Sequence, residues 1–229
     1  MRKLFFLGLF VAGGQLAHAQ TTFKAGTALL GGSVNYSHNG EEYKSTYGNT
    51  TYTTTYSANS FTLAPYFGFF AADNLAVGLN LSYTSQNSYT TSTPSNNTTV
   101  NDRATTSLRI GAFGQYYRML TEQFGLTGTL GAGYENDFRP SRYSGQTTPG
   151  PDLRATGFYT TLTPGLIFLP IPRLGIGASV GSLSYLRLNV TQEGNTSNTT
   201  VTTSDVATTF GASFGLDQLT FSGTYFFGR

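Results

Sequence analysis

Apolar and polar residues alternate along several segments of this chain, and these segments occur in pairs joined by short turns. Three pairs can be read directly: residues 61–70 with 75–83, 108–117 with 124–134, and 158–168 with 174–185. An alternation with a period of two predicts β-strands with one apolar face. Long stretches rich in Thr, Ser and Asn separate the pairs. Short turns at one end and long polar loops at the other are the sequence signature of an outer-membrane β-barrel.

The two ends of the chain complete the set of strands. Residues 23–36 alternate in the same way, whereas the last apolar stretch, 210–227, changes parity near Asp217 and Gln218. A hairpin there would give nine strands, and a β-bulge would give one long eighth strand with both termini periplasmic. Asp-Gln lacks the Gly that usually supports a two-residue hairpin, so we favour a bulge of one residue. The predicted fold is all-β: a closed, antiparallel, up-and-down barrel of eight transmembrane strands with short periplasmic turns and long extracellular loops.

The N-terminal 19 residues have the organisation of a secretory signal peptide. Arg2 and Lys3 are followed by an apolar stretch, 4–11, and Ala17-His18-Ala19 forms an A-x-A cleavage site. Cleavage between Ala19 and Gln20 would leave residues 20–229 as the barrel domain. The apolar stretch is shorter than the roughly 20 residues that a membrane-spanning helix requires.

Composition narrows the class further. The 229 residues include no Cys and only 10% charged residues, and the mean hydropathy is −0.16. Such values argue against a helical membrane protein but suit a barrel, because alternation dilutes the average hydropathy. The net charge of +2 includes no basic run, so we expect no nucleic-acid partner. Pro65 and Pro164 fall inside predicted strands and predict a bulge or a local break at each position.

The predicted inner face carries mostly Gly, Ser, Thr and Asn, together with four larger polar residues, Arg109, Glu135, Tyr185 and Arg187. Five tyrosines near predicted strand ends would form an aromatic girdle: Tyr36, Tyr83, Tyr116, Tyr134 and Tyr159. If Leu120 faces Phe124 across the second turn, paired residues have numbers that sum to 244. This register places Arg109 opposite Glu135 in the lumen, either as a gate or as an internal plug that fixes the barrel shape.

Three segments carry a resemblance to a known family. They are Thr27 to Ser33 (TALLGGS), Tyr66 to Leu79 (YFGFFAADNLAVGL) and Thr224 to Phe227 (TYFF). Together they resemble the small outer-membrane-protein β-barrel domain family of the eight-stranded superfamily. The resemblance covers essentially the whole mature chain and contains no catalytic signature. It implies an integral protein of the cell outer membrane, in contact with lipid, whose aromatic terminus is similar to the signal for the outer-membrane insertion machinery.

Candidate chemistry is sparse. After removal of the signal peptide His38 is the only histidine, which leaves a hydrolase without an evident general base and a transition metal with too few ligands. We therefore expect no enzyme activity, no cofactor and no metal. The leading hypothesis is a monomeric structural or surface-interaction scaffold whose loops display a site for an extracellular ligand. The alternatives are a narrow, porin-like transporter for small polar solutes or small apolar compounds, and a secreted soluble β-sandwich adhesin.

Overall fold

Eight antiparallel strands close into one barrel in the computed structural model, which describes residues 22–93, 99–140, 152–196 and 199–228. The strands, in chain order, are β1 (Ala28–Tyr47), β2 (Thr50–Ala72), β3 (Leu75–Thr93), β4 (Thr99–Met119), β5 (Phe124–Arg139), β6 (Asp152–Ile171), β7 (Leu174–Thr196) and β8 (Thr199–Phe227). Each strand pairs with its neighbours in sequence, and β1 pairs with β8. This confirms the predicted fold class. The predicted signal peptide and its cleavage site at Ala19 and Gln20 lie outside the described residues.

Three tight turns lie at one end of the barrel, where the alternation predicted them. The first contains Asn74 at a φ of 63°, a conformation that Asn tolerates better than most residues. In the second, Thr121 Oγ1 accepts hydrogen bonds from the backbone N–H groups of Gln123 and Phe124. The third follows Ile171 and leads directly into β7. We refer to this end of the barrel as the turn end.

At the opposite end the strands continue into the polar segments. The Thr- and Tyr-rich tract 52–56 predicts a strand extension above the membrane, and segment 38–59 is mostly strand, because β1 runs to Tyr47 and β2 resumes at Thr50. Its Thr and Tyr residues have high β propensity, which explains the extension. The strands of the barrel contain 16 to 29 residues. A transmembrane strand needs only about 9–11, so long hairpins project beyond the apolar part of the wall.

Large apolar side chains cover the outer face of every strand. Exposed examples from β1 to β8 are Leu30, Phe67, Leu79, Ile110, Leu130, Phe158, Ile176 and Phe221. The residues between them point into the lumen, as the period of two requires. The wall is therefore apolar on the outside, the reverse of a barrel that is dissolved in water.

The two strand prolines interrupt pairing on one side only. Pro65 pairs with Gly32 of β1, but the ladder to β3 skips from Leu63 to Tyr66 without a change of register. Pro164 pairs with β5, and the register to β7 shifts beside it. Both observations confirm the predicted break or bulge, which follows from the missing N–H of proline.

The parity change near the end of the chain is a bulge in a single long eighth strand. Val180 pairs with Leu219, and the next residue, Gly181, pairs with Phe214, so residues 215–218 are inserted between two paired positions. The predicted choice of a bulge over a hairpin is confirmed, but the predicted size of one residue is wrong. Gly181 has a φ of 109°, which a residue with a side chain rarely adopts.

This bulge corrects two predicted inward positions. Val180 and Gly181 lie on the same outer face, so the alternation of β7 is inverted after Gly181. Tyr185 pairs with Phe210 and Arg187 pairs with the exposed Phe158. Tyr185 and Arg187 therefore face outward, and their predicted place in the lumen is wrong.

The pairing between the first and last strands is short. It extends from Ala28 opposite Phe227 to Ser33 opposite Ser222, which is six residue pairs. Farther from the turn end, β1 after Ser33 pairs with β2 only, and β8 before Ser222 pairs with β7 only, within the part of the chain that the structure describes. We call these six pairs the β1–β8 seam.

Candidate functional site

The residues before β1 turn under the barrel instead of starting the first strand. The strand predicted from Phe23 begins at Ala28, and the sequence prediction is wrong for residues 23–27. The Phe23 N–H donates to Asn74 Oδ1 at 2.9 Å, and the Asn74 N–H donates to the Phe23 carbonyl at 2.9 Å. The segment is thereby attached to the β2–β3 turn.

Asp73 of the same turn makes a further contact with this segment. Its Oδ1 accepts a hydrogen bond of 3.1 Å from the Ala25 N–H, and its Oδ2 lies 3.4 Å from Lys24 Nζ. The Ala25 N–H, and to a smaller extent the charge of Lys24, lower the pKa of Asp73 below its ordinary value. Both interactions favour the ionised carboxylate, so the attachment is strongest when Asp73 is charged.

Four aromatic rings fill the lumen at the turn end. Phe23 stacks on Phe70 with centroids 4.9 Å apart and contacts Tyr117 and Phe226 at 4.8 and 4.7 Å. All four side chains are essentially inaccessible to solvent. We call Phe23, Phe70, Tyr117 and Phe226 the aromatic plug. The apolar residues that pack around it are Leu29, Ala76, Phe113, Met119, Ile167 and Leu169.

A second, polar group of side chains crosses the lumen farther from the turn end. Arg109 pairs with Glu135, in the register whose residue numbers sum to 244, and Arg109 Nη2 donates to Glu135 Oε1 at 2.8 Å. The guanidinium carbon lies 5.4 Å from the centre of the Tyr159 ring. The Tyr159 hydroxyl accepts a hydrogen bond of 3.3 Å from Asn80 Nδ2. We call Arg109, Glu135, Tyr159 and Asn80 the polar layer.

Tyr159 was predicted in the outer girdle, and that prediction is wrong. The adjacent residue, Phe158, is exposed on the outer face, so alternation turns Tyr159 into the lumen, where it is 5% exposed. The remaining predicted girdle residues are exposed, namely Tyr36, Tyr83, Tyr116 and Tyr134.

The ion pair of the polar layer is asymmetric. The side chain of Glu135 is 4% exposed and that of Arg109 is 41% exposed. Ser107 Oγ donates a second hydrogen bond to Glu135 Oε1 at 3.3 Å. Because a buried carboxylate without a cation is costly, Arg109 compensates for the burial of Glu135 and joins β4 to β5 across the inner wall.

Between the aromatic plug and the polar layer lies a cavity of about 260 Å³. Tyr66, Phe113 and Tyr117 contribute aromatic faces to it, and Asn80 and Gln115 contribute amides. Most of the remaining wall consists of small residues with hydroxyl groups: Ser33, Thr127, Thr129, Thr161, Thr163, Ser179, Thr220, Ser222 and Thr224. No charged side chain lines this cavity among the described residues.

The other candidate residues lie away from the lumen. His38 is exposed on the extended β1–β2 hairpin, where its Nδ1 lies 2.6 Å from Asn59 Oδ1. In the described ranges no three His, Cys, Asp or Glu side chains are grouped as a metal site would require. Those ranges also contain no helix with the length and apolar character needed to cross a bilayer.

The aromatic plug is the feature that sequence reasoning missed. Its signal was present, since apolar residues become consecutive where strands approach the turn end, as in Phe69-Phe70 and in Tyr225-Phe226-Phe227. Consecutive apolar residues in a strand indicate that both faces are buried or apolar. Phe23 could not be found in this way, because it lies outside the strands.

The geometry defines a closed eight-stranded antiparallel barrel with an apolar outer wall and an occluded lumen. No protein-family model and no curated protein matches the sequence. Among solved structures, the chain is similar to the outer membrane protein OprG from Pseudomonas aeruginosa, with a TM-score of 0.51 and 17% sequence identity. The match covers 90% of this chain and 98% of that one. At this identity the similarity establishes the fold.

Proposed function

We propose that this chain is an integral outer-membrane β-barrel protein that acts as a scaffold, without catalysis, and displays long hairpins on the cell surface. The apolar outer wall supports the location, because only a closed barrel lets strands satisfy their backbone hydrogen bonds in hydrocarbon. The similarity to a barrel described as an outer membrane protein agrees with it. In this orientation the three tight turns and both termini face the periplasm.

The aromatic plug is the observation that favours a scaffold over a conduit. A solute moving along the barrel axis would have to pass Phe23, Phe70, Tyr117 and Phe226, whose rings are in mutual contact. Displacing them would sacrifice buried apolar surface worth several kcal/mol. Eight-stranded barrels commonly have an interior filled by side chains.

The projecting hairpins are the part suited to interaction. The side chains of β1 from Val34 to Tyr47 are exposed on both faces, and this arm of the hairpin pairs with β2 only, whereas the β2 arm also pairs with β3. The hairpin carries exposed tyrosines, Tyr43, Tyr47 and Tyr52, and aromatic residues of this kind are frequent in binding interfaces. A rigid barrel that supports exposed segments is a common arrangement for recognition.

The competing function is a narrow transporter, and the 260 Å³ cavity is the observation in its favour. Single-channel recording in planar lipid bilayers separates the two functions. We expect the refolded full chain to give no steady conductance, because the aromatic plug closes the turn end. A stable open channel would support the transporter and contradict the scaffold.

A further inference from the structure

The cavity between the aromatic plug and the polar layer combines three features that together suggest a ligand. It is closed toward the turn end by aromatic rings, it is lined by hydroxyl and amide groups, and it lacks charged side chains among the described residues.

Small residues keep the cavity open. A Cβ atom added to Gly165 would lie 2.8 Å from Thr127 Oγ1 and 3.0 Å from the Ala178 carbonyl oxygen. One added to Gly177 would collide with Ser222 Oγ. Larger residues at these two positions would therefore push the hydroxyl groups inward and reduce the space. Because Gly165 and Gly177 have no side chain, this space stays open.

The polar groups at the wall are mostly hydroxyls. Asn80 borders the cavity, but its Nδ2 already donates to the Tyr159 hydroxyl. Thr127, Thr161 and Thr163 also border the cavity. Because a hydroxyl group can both donate and accept, these side chains suit a ligand that carries either kind of polar group.

The wall beside Asn80 offers an apolar surface, because Tyr66 pairs directly with Asn80. The rings of Tyr66 and Phe113 are 5.7 Å apart and nearly perpendicular, and both border the cavity. The Tyr66 hydroxyl is already hydrogen-bonded to Thr224 Oγ1. Both rings thus present apolar surface to the cavity, which they border.

We propose that the cavity binds a small uncharged ring compound that carries an amide or hydroxyl group. The ring would lie against Tyr66 and Phe113, and the polar group would bond to hydroxyl groups of the wall such as those of Thr161 and Thr163. A volume of about 260 Å³ lies below the roughly 300–1,000 Å³ typical of sites for drug-sized ligands, so the ligand is smaller than those. Charged compounds are disfavoured because no lining group would compensate their desolvation.

Benzamide is a suitable probe, and benzoate is its charged counterpart of nearly the same shape. The full chain, folded in detergent micelles, would be titrated with each compound while backbone and Asn side-chain amide shifts are followed by NMR. We expect saturable shifts at Asn80 and Thr161 with benzamide and at least tenfold weaker binding of benzoate. Thr161→Val removes one wall hydroxyl with little change of shape and should weaken benzamide binding about three- to tenfold, the value of one hydrogen bond.

A pair of substitutions separates the cavity from partition into the micelle. Thr161→Phe fills the cavity and should abolish the saturable shifts. Thr160→Phe places the same ring one residue away, on the exposed outer face, and should leave them unchanged. Thr163→Leu provides a second cavity-filling variant if Thr161→Phe does not fold. Shifts that persist in a folded cavity-filling variant, shifts that never saturate, or equal binding of benzoate would each overturn the proposal.

Discussion

Replacing Phe23 with alanine tests whether the aromatic plug is an energetic part of the barrel. Phe23 is completely buried and contacts three other rings within 5 Å. Truncation of a buried Phe to Ala usually costs 3–5 kcal/mol. Phe23 belongs to a short segment and not to a strand, so the three remaining rings can partly close the gap. We therefore expect a loss of about 3 kcal/mol, at the lower end of that range.

The assay is unfolding of the refolded protein in lipid vesicles by urea, followed by tyrosine fluorescence and by heat-dependent migration on a gel. Phe23→Leu should recover more than half of the lost free energy, because most of the volume is restored. Tyr47→Ala is the control, since Tyr47 is 74% exposed on the projecting β1–β2 hairpin, beyond the apolar part of the wall; it should change stability by no more than about 0.5 kcal/mol. A Phe23→Ala loss below 1 kcal/mol, or no larger than that of Tyr47→Ala, would refute a stabilising plug.

Three further predictions address the ion pair, the turn end and the orientation. Glu135→Gln keeps the shape but removes the charge that faces Arg109, so thermal unfolding should show a loss of about 1–2 kcal/mol without ion conductance; unchanged stability would contradict the role of the pair. Because the pKa of Asp73 is lowered, its attachment is complete above its ordinary pKa of roughly 4 and is lost as the pH falls through the lowered value. The Ala25 amide resonance should shift in that acidic range, and in Asp73→Asn it should not. The protein should fractionate with the outer membrane, and its recovery in the soluble periplasmic fraction would contradict the proposed location. Protease added to whole cells should cut within residues 41–57 or 141–154 and spare the turns at Ala72, Thr121 and Ile171. Cleavage at those turns would contradict the proposed orientation.

The strands and turns could be predicted because one face of the wall is uniformly apolar. Positions such as Leu79 and Ile110 must be apolar whatever packs inside, so a period of two survives along the chain. The register of β4 and β5 followed from one turn, because in a regular hairpin each pair fixes the next. The same rule places Arg109 opposite Glu135, and the two residues are paired.

The remaining features depend on contacts that no local pattern encodes. Phe23 reaches the aromatic plug only because the β2–β3 turn holds its segment, a contact across 51 residues of chain. The size of the β8 bulge is set by how β7 resumes pairing at Gly181. Because the sequence prediction missed the break in alternation at this residue, it placed Tyr185 and Arg187 on the wrong face of the wall.

The short β1–β8 seam determines where this barrel can come apart. Every other adjacent pair of strands is joined over a longer ladder, and the β1–β2 ladder alone runs from Ala28 to Tyr47. Among the strand pairings the seam also joins the residues most distant in sequence, Ala28 and Phe227, so it carries the largest loop-closure cost of any ladder. It is therefore expected to form last in folding and to open first in unfolding. The lifetime of the folded protein then depends more on these six pairs than on the total hydrogen bonding of the wall.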